Sequence, residues 1–491
     1  MVKRRTGDEI DLLDASIQTA SGALVSTTLY VLSGLVYAVV TSPAAVGTYF
    51  FVTISIALVF RPVRGLGQTL QKIGSEPGED IGPYLGLALF GGLGYLLVTG
   101  GVVALLAPTL ARFTAFDAAA VGPAGVYALG AVVGMVVPSL VAAVGYPSAE
   151  TWLDSLQSGL QVVLLLAFAG ALTTAGDLMV VVAGVRLAVL VPVAVAVGVV
   201  PRLPDRRAGA RAWDFAKWSV PDQVLDRFSY NMPVYVLGVV ATPAAVGIYE
   251  TADRFADFGA TISWRLSSPL LTKISGDAAA GDRTLPYLDG AITGGTGGTF
   301  LVFGYLLAAH DVVAGIAFPT ARDAFAATLL VVGGVNLFRG FWTLASHAIE
   351  GVGKPDLSFR TKAYGLAVSV PIPAVFGAEY GALAGAAGYA IMNLAICAYV
   401  AYYARDVFSR VPVDRLLVAQ LGAGLVGAFG TAGALVAASQ AVGATPPVVA
   451  TLAAGGAIVG FCGTLAALSA RVRAVFRRAA VLSTDRFRAL G

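Results

Sequence analysis

Apolar stretches of about 20 residues follow one another along almost the whole of this 491-residue chain. Each stretch is long enough to cross about 30 Å of hydrocarbon as an α-helix. The composition agrees, because 57% of the residues are hydrophobic, only 12% are charged, and the mean hydropathy is +0.79. A soluble domain carries about twice that fraction of charge. The sequence therefore predicts an all-α polytopic membrane protein.

Charged residues, prolines and glycines divide the apolar sequence into fourteen candidate spans. They are expected at 15–40, 44–68, 82–107, 119–145, 148–171, 177–200, 213–240, 244–274, 286–310, 322–349, 357–379, 382–404, 414–438 and 447–470. The first segment is too long for the apolar core of a signal peptide, so we expect it to be retained. Residues 1–205 would then form a first lobe of six helices and 206–405 a second lobe. Residues 406–491 would hold two further helices and a basic tail.

Positive charges alternate from loop to loop, and cytoplasmic loops collect Lys and Arg. Basic residues occur at the N-terminus, in loops that follow even-numbered spans, and in the C-terminal tail; examples are Lys3, Arg4, Arg5, Arg202, Arg206, Arg207, Arg211, Arg471 and Arg473. Arg112 and Arg322 alone fall in loops of the opposite parity. This pattern predicts a multi-pass protein of the cell membrane with both termini in the cytoplasm. The bias towards Arg, Ala, Gly and Val is typical of a GC-rich prokaryotic genome, archaeal or actinobacterial.

One short turn occurs twice, 200 residues apart. The sequence reads SPAAVGTY at 42–49, between spans 1 and 2, and TPAAVGIY at 242–249, between spans 7 and 8. An even number of spans separates the copies, so the two halves are predicted to be parallel repeats. Transporters with an internal repeat place their substrate site at the interface between the halves. Chance reuse of a common hairpin turn is the alternative reading.

Ionisable residues inside spans cost about 2.5–3.5 kcal/mol each and usually face protein or a water-filled cavity. Span 8 carries a polar stripe at helical spacing, and span 7 carries a second one. The candidate substrate-binding residues are Asp226, Arg227, Asn231, Asp253, Arg254, Asp257, Arg265, Arg61, Arg64 and Arg339, and Arg186 is a further deep cation. Arg254 is the best single candidate, because acids flank it at helical spacing.

Simpler readings of these charges stay open. The Asp–Arg neighbours in spans 7 and 8 could neutralise one another across the two helices. Arg61, Arg64 and Arg265 lie near predicted span ends, where a long side chain reaches the interface.

Four longer stretches resemble a known group. They are VGTYFFVTISIALVFRPVRGLGQTLQKIGS at 46–75, VGIYETADRFADFGATISWRLSSPLLTKIS at 246–275, IEGVGKPDLSFRTK at 349–362 and AEYGALAGAAGYAIMNLA at 378–395. The chain resembles the Wzx-like, polysaccharide-type lipid-linked oligosaccharide flippases of the multidrug/oligosaccharidyl-lipid/polysaccharide (MOP) exporter superfamily. The resemblance implies a MATE-like V of two six-helix lobes around a central cavity with alternating access. It also implies a cargo of oligosaccharide joined through phosphate or pyrophosphate to a polyprenol.

The charged stripes suit such a cargo, because Arg forms bidentate hydrogen bonds with phosphate oxygens. The expected function is movement of this lipid from the cytoplasmic to the outer leaflet for surface glycan or glycoprotein assembly. Expected partners are the lipid-linked glycan, membrane lipid, and glycosyltransferases or a polymerase of the same pathway. We expect a monomer and no nucleic acid.

Two other classes of function compete with this one. A cation-coupled multidrug antiporter of the same superfamily would need an ion-linked carboxylate, which Asp226 or Asp257 could supply. An enzyme is disfavoured, because the external loops are short and poor in acids. No cofactor or metal site is expected from Cys397, Cys462, His310 and His347, and no nucleotide-binding GxxxxGK[ST] motif occurs. Coupling to Na⁺ or H⁺ is left open.

Overall fold

The structure, a computed structural model, describes residues 12–74, 80–146, 148–279, 288–352, 354–470 and 473. Every regular element in these residues is helical. The α-helices are α1 (Leu12–Val40), α2 (Pro43–Val59), α3 (Arg61–Gly74), α4 (Ile81–Phe113), α5 (Val121–Ala143), α6 (Ala149–Ala167), α7 (Ala175–Val197), α8 (Arg206–Val240), α9 (Pro243–Ala279), α10 (Leu288–Gly295), α11 (Gly297–Ala317), α12 (Arg322–Gly351), α13 (Pro355–Ser369), α14 (Pro371–Tyr380), α15 (Ala382–Phe408), α16 (Arg415–Ala441) and α17 (Pro446–Leu468).

Each of the fourteen predicted spans overlaps a helix or a pair of consecutive helices. Eight helical segments in the described residues are long and apolar enough to cross a membrane, or nine if the bent pair α2–α3 is one span. They are Ile81–Phe113, Ala118–Ala143, Ala175–Val197, Leu288–Ala317, Pro319–Gly351, Ala382–Phe408, Arg415–Ala441 and Pro446–Leu468. Helices α8 and α9 are long enough but carry the charged stripes. The chain is therefore a multi-pass membrane protein, and the count of fourteen stays a prediction.

Exposure of apolar side chains supports a membrane location. Helix α4 is one of the most apolar helices, yet Leu97 and Leu105 on it are 77% and 83% exposed. Exposing leucine side chains to water is unfavourable, whereas exposing them to the hydrocarbon of a membrane is not. The outer face of α4 is therefore built to contact lipid.

The repeated turn has the same capping structure in both copies. The Ser42 hydroxyl accepts a hydrogen bond from the Ala45 amide at 3.3 Å, and Pro43 begins α2. The Thr242 hydroxyl accepts from the Ala245 amide, also at 3.3 Å, and Pro243 begins α9. A hydroxyl cap followed by Pro at the first helical position satisfies a free N–H and presets the helical backbone angle.

Two helices are interrupted where proline removes a backbone donor. Helices α2 and α3 meet at a bend of 53° just before Pro62, and the Tyr95 hydroxyl donates to the exposed Val59 carbonyl at 3.0 Å. Helix α8 departs from helical angles at Asn231, two residues before Pro233. The bend and the kink shape the segments that carry Arg61 and Arg227.

The described helices form two compact units. Unit 1 comprises Met1–Arg254 and Val370–Gly388, and unit 2 comprises Phe255–Ser369 and Tyr389–Gly491. The core of unit 1 packs branched side chains of α3, α4, α5 and α7, such as Val63, Leu85, Val132 and Leu190. A core in unit 2 uses small residues of α11, α16 and α17, including Ala309, Ala428 and Ala457. The lobes predicted from the repeat, 1–205 and 206–405, follow the sequence rather than this packing and stay a prediction.

The two repeated turns contact each other within unit 1. A Cβ added to Gly47 would overlap the backbone carbonyl of Pro243, and one added to Gly247 would overlap that of Pro43. The contact is reciprocal, because each glycine meets the proline of the other copy. Only glycine allows two helix starts to approach this closely.

Candidate functional site

Arg254 lies in unit 1 between an acidic partner and two aromatic rings. Its side chain is 11% exposed, and its Nε donates to Glu250 Oε1 at 3.1 Å, one turn earlier on α9. The guanidinium carbon is 4.2 Å from the centre of the Tyr30 ring and 4.3 Å from that of Phe50. Cation–π contacts at such distances hold a guanidinium in place without neutralising it.

A glycine makes room for this arginine. A Cβ at Gly34 on α1 would be 3.2 Å from Arg254 Cδ, which is tighter than ordinary contact. The aliphatic stem therefore lies against the bare backbone of α1.

The outer end of the guanidinium has no acceptor among the described residues. Among the described residues, Arg254 donates a hydrogen bond through Nε. The four N–H donors on its two terminal nitrogens therefore stay available to a ligand. Glu250 offsets the positive charge at the Nε edge of the guanidinium. The opposite edge has the geometry that binds a phosphate or carboxylate through two parallel bonds.

Phenol rings continue from this arginine to a second one. Tyr37 and Tyr49 are buried, with hydroxyl oxygens 3.1 Å apart, and the Gln161 amide donates to the Tyr37 hydroxyl. The rings of Tyr49 and Tyr127 meet edge to face at 6.4 Å. The guanidinium of Arg186 on α7 then faces the Tyr127 ring at 5.4 Å.

Two further predicted cations lie near this cluster. Arg227 on α8 faces the Tyr230 ring at 5.8 Å, and Arg61 is partly buried at the start of α3. The hydroxyl of Tyr235 lies within the electrostatic influence of both arginines and of Glu250, and it donates to the Ile54 carbonyl at 3.3 Å. Arg61 and Arg227 therefore act on the same hydroxyl as Glu250, the partner of Arg254.

The remaining predicted residues have other placements. Asn231 is buried and its amide donates to the Arg227 carbonyl at 2.9 Å, so it supports the kink in α8. Asp253 is buried on α9, while Arg64 and Arg265 are exposed. The side chain of Asp226 lies outside the described residues.

Unit 2 contains a second polar centre around Arg339 on α12. Arg339 is 3% exposed and forms an ion pair with Asp257, which is 24% exposed. The Tyr389 ring lies 6.0 Å from its guanidinium carbon, and the Tyr389 hydroxyl contacts Asn336 Oδ1 at 3.4 Å.

Indole and amide groups extend this centre. Trp342 Nε1 donates to Asn393 Oδ1 at 2.8 Å, and the Asn393 amide donates to the Tyr389 carbonyl at 2.8 Å. The ion pair joins α9 to α12, and these hydrogen bonds join α12 to α15.

The sequence indicates the charged residues of both centres but not their neutral partners. Tyr30 and Phe50 look like ordinary apolar-helix residues, and only packing shows that they enclose Arg254. Asn336 and Asn393 are single amides in apolar helices, a signal that could have been noticed. Within the described residues, no group of three or more His, Cys, Asp or Glu side chains could hold a metal ion.

Comparison with known proteins identifies the fold. No family model matches the sequence, and no curated protein matches it. Solved structures do. An inward-facing multidrug resistance MATE family transporter of the MOP superfamily matches with a TM-score of 0.63 and 17% identity, over 80% of this chain and 98% of that one. Lipid II flippase MurJ in an inward closed conformation matches with a TM-score of 0.69 and 11% identity, over 92% and 99%.

The fold is that of MATE transporters and MurJ. An outward-facing MATE family transporter also matches, with a TM-score of 0.55 and 17% identity over 82% of this chain and 97% of that one. At these identities the likeness extends to the fold alone. These neighbours are transporters and a flippase.

Proposed function

We propose that this protein is a Wzx-like flippase that moves a polyprenyl-(pyro)phosphate-linked oligosaccharide from the cytoplasmic to the outer leaflet by alternating access. Both termini are cytoplasmic in this proposal, and the organism is prokaryotic, with an archaeon as one candidate. The protein acts as a monomer beside glycosyltransferases or a polymerase that make and use the lipid. The coupling ion, Na⁺ or H⁺, is left open.

One observation carries the proposal. Arg254 is fixed by Glu250 at one edge and by the faces of Tyr30 and Phe50, while no described residue accepts from its terminal nitrogens. A guanidinium held rigidly with an open edge suits a phosphate, because little freedom is lost when the two bonds form. Arg61 and Arg227 add positive charge around the Tyr235 hydroxyl, on which Glu250 also acts.

Two features of the comparisons support the same function. The chain covers 99% of MurJ, a flippase of lipid II. The alignment also spans 92% of this chain, against 80% for the inward-facing MATE transporter. This coverage supports a lipid cargo, while the low identity leaves the glycan unnamed.

The test compares Arg254→Lys and Arg254→Ala in cells that make the glycan. Lys keeps one charge but loses the planar fork, so lipid-linked glycan should accumulate on the cytoplasmic leaflet while insertion stays normal. Ala should be worse, because the ion pair between Glu250 and Arg254 is then lost as well. Arg112→Ala, an exposed change at the end of α4, is the matched control. Unchanged glycan export in Arg254→Ala cells would sink the phosphate assignment.

A cation-coupled multidrug antiporter is the second candidate, and the fold likeness to MATE transporters favours it. The same variants separate the two functions in a drug-resistance assay. An antiporter for cations should tolerate Arg254→Lys and should not lose resistance with Arg254→Ala, since that change removes a repelling charge. A flippase should show no drug phenotype in either variant.

A further inference from the structure

The second deep arginine of unit 1, Arg186, has the same construction as Arg254 but no place in the function proposed so far. A Cβ at Gly134 on α5 would be 2.9 Å from Arg186 Cδ, so the stem of this arginine also lies on bare backbone. Its guanidinium faces the Tyr127 ring at 5.4 Å, as Arg254 faces Tyr30 and Phe50. Each arginine therefore packs its stem against a glycine and its guanidinium against an aromatic ring.

No carboxylate of the described residues forms an ion pair with Arg186. Asp154 on α6 is within electrostatic reach, but it is exposed, and the direct neighbour of the guanidinium is a phenol. A cation in the middle of an apolar helix is unfavourable unless a counter-charge arrives. Arg254 has Glu250 as its counter-charge, whereas Arg186 is the less neutralised of the two.

Both arginines lie close enough to the buried Tyr37–Tyr49 pair to interact with it electrostatically. The hydroxyl of Tyr37 is within the electrostatic influence of both Arg254 and Arg186. The two phenol hydroxyls contact each other, and the Gln161 amide donates to that of Tyr37. Hydroxyl and amide groups are partners for sugar hydroxyls, and aromatic rings offer a face for the apolar side of a sugar.

We propose that Arg186 is a second anion site for the same cargo, and that the cargo is an acidic glycan whose sugar carries a carboxylate or a similar negative group. This inference rests on the proposed function, in which Arg254 binds the linking phosphate. Arg186 binds the acidic group of the sugar.

The test uses two matched probes, glucose and glucuronic acid, each linked through one phosphate to the same short polyprenol. They differ at one position, where glucose has a hydroxymethyl group and glucuronic acid has a carboxylate. Binding to the purified full-length protein is measured by lipid-dependent thermal stabilisation. Wild type should bind the glucuronic acid lipid about tenfold more tightly, since a charge-assisted hydrogen-bond pair is gained.

Arg186→Gln should remove that preference and leave the affinity for the glucose lipid within about twofold of wild type, because only the charge-assisted bonds are lost. Gly134→Val keeps the arginine but displaces its stem, so it should act like Arg186→Gln. Arg112→Gln is the control and should change neither affinity. The inference would be overturned if wild type bound the two lipids equally tightly. It would also be overturned if Arg186→Gln kept the preference for the glucuronic acid lipid, or weakened the binding of both lipids equally.

Failure of the proposed function would look different. Arg254→Gln should weaken the binding of both lipids, because both carry the linking phosphate. If it weakens neither while Arg186→Gln still removes the preference, then the phosphate assignment fails and the acidic-sugar site stands.

Discussion

Glu250 controls how strongly Arg254 attracts an anion. It lies one turn from Arg254 on α9 and bonds to Nε, so it offsets part of the positive charge that a phosphate would meet. Glu250→Gln keeps an amide oxygen for that bond but removes the negative charge. We expect tighter binding of a polyprenyl-phosphate lipid and a lower melting temperature, because the buried cation then lacks a counter-charge.

The measurement is lipid binding and thermal unfolding of purified Glu250→Gln in detergent. Glu379→Gln is a suitable control, since Glu379 lies at the end of α14 and is exposed. Weaker phosphate-lipid binding in Glu250→Gln would contradict this account of the pair.

Asp257 and Arg339 should depend on each other for stability. Removing one partner of a buried pair leaves an uncompensated charge and typically costs about 3–5 kcal/mol. Asp257→Asn and Arg339→Gln should therefore each lower stability strongly, and the double variant should lose less than the sum. Unfolding of the two single variants and the double variant measures this, and additive losses would show that the pair contributes little.

Residue spacing could predict the charged members of both centres but not how they are held. A polar stripe at helical spacing marks Glu250, Arg254 and Asp257, because one helix determines that geometry. The rings around Arg254 come from α1 and α2, about 200 residues earlier in the sequence. Contacts of that range depend on tertiary packing, which a single sequence does not reveal.

At the scale of helices, the crossing of α2 and α9 is the most tightly constrained contact. Ala at position 47 would meet a backbone carbonyl, which cannot rotate away as a side chain can. Overpacking of this kind costs about 1–3 kcal/mol. Gly47→Ala and Gly247→Ala should therefore separate the starts of the two helices and slow transport.

Spin labels at Ala44 and Ala244 would measure that separation. Gly100→Ala is the matched control, because an added Cβ there meets nothing within 4 Å. An unchanged distance distribution in both glycine variants would contradict a close crossing.

The helices were largely predictable, and their interruptions were not. Each span predicted from apolar length overlaps one helix or two consecutive helices, and its ends differ from theirs by up to about seven residues. The break between α13 and α14 falls inside the predicted span 357–379, and the bend between α2 and α3 falls inside 44–68. Proline at 371 and at 62 was the available signal, but a proline in a membrane helix can also be tolerated without a break.

For the molecule as a whole, the repeat predicts a specific topology. Both termini and the loop around Arg206 should be cytoplasmic, and the two PAAVG turns should be external. Cysteines placed one at a time at Arg206 and Ala44 should differ in labelling by a reagent that does not cross membranes. Labelling of the Arg206 site from outside the cell would reverse the orientation and remove the parallel-repeat argument.

Movement of a phosphate-linked glycan lipid across a bilayer is the activity proposed for this chain. The most direct measurement reconstitutes the purified protein in vesicles that contain a fluorescent polyprenyl-phosphate–glucuronic acid lipid and follows its exposure to a quencher that cannot cross the membrane. We predict that wild type speeds transbilayer movement, that Arg112→Ala does the same, and that Arg254→Ala falls to the rate of protein-free vesicles. Equal rates with wild type and without protein, in vesicles shown to contain folded protein, would contradict the account.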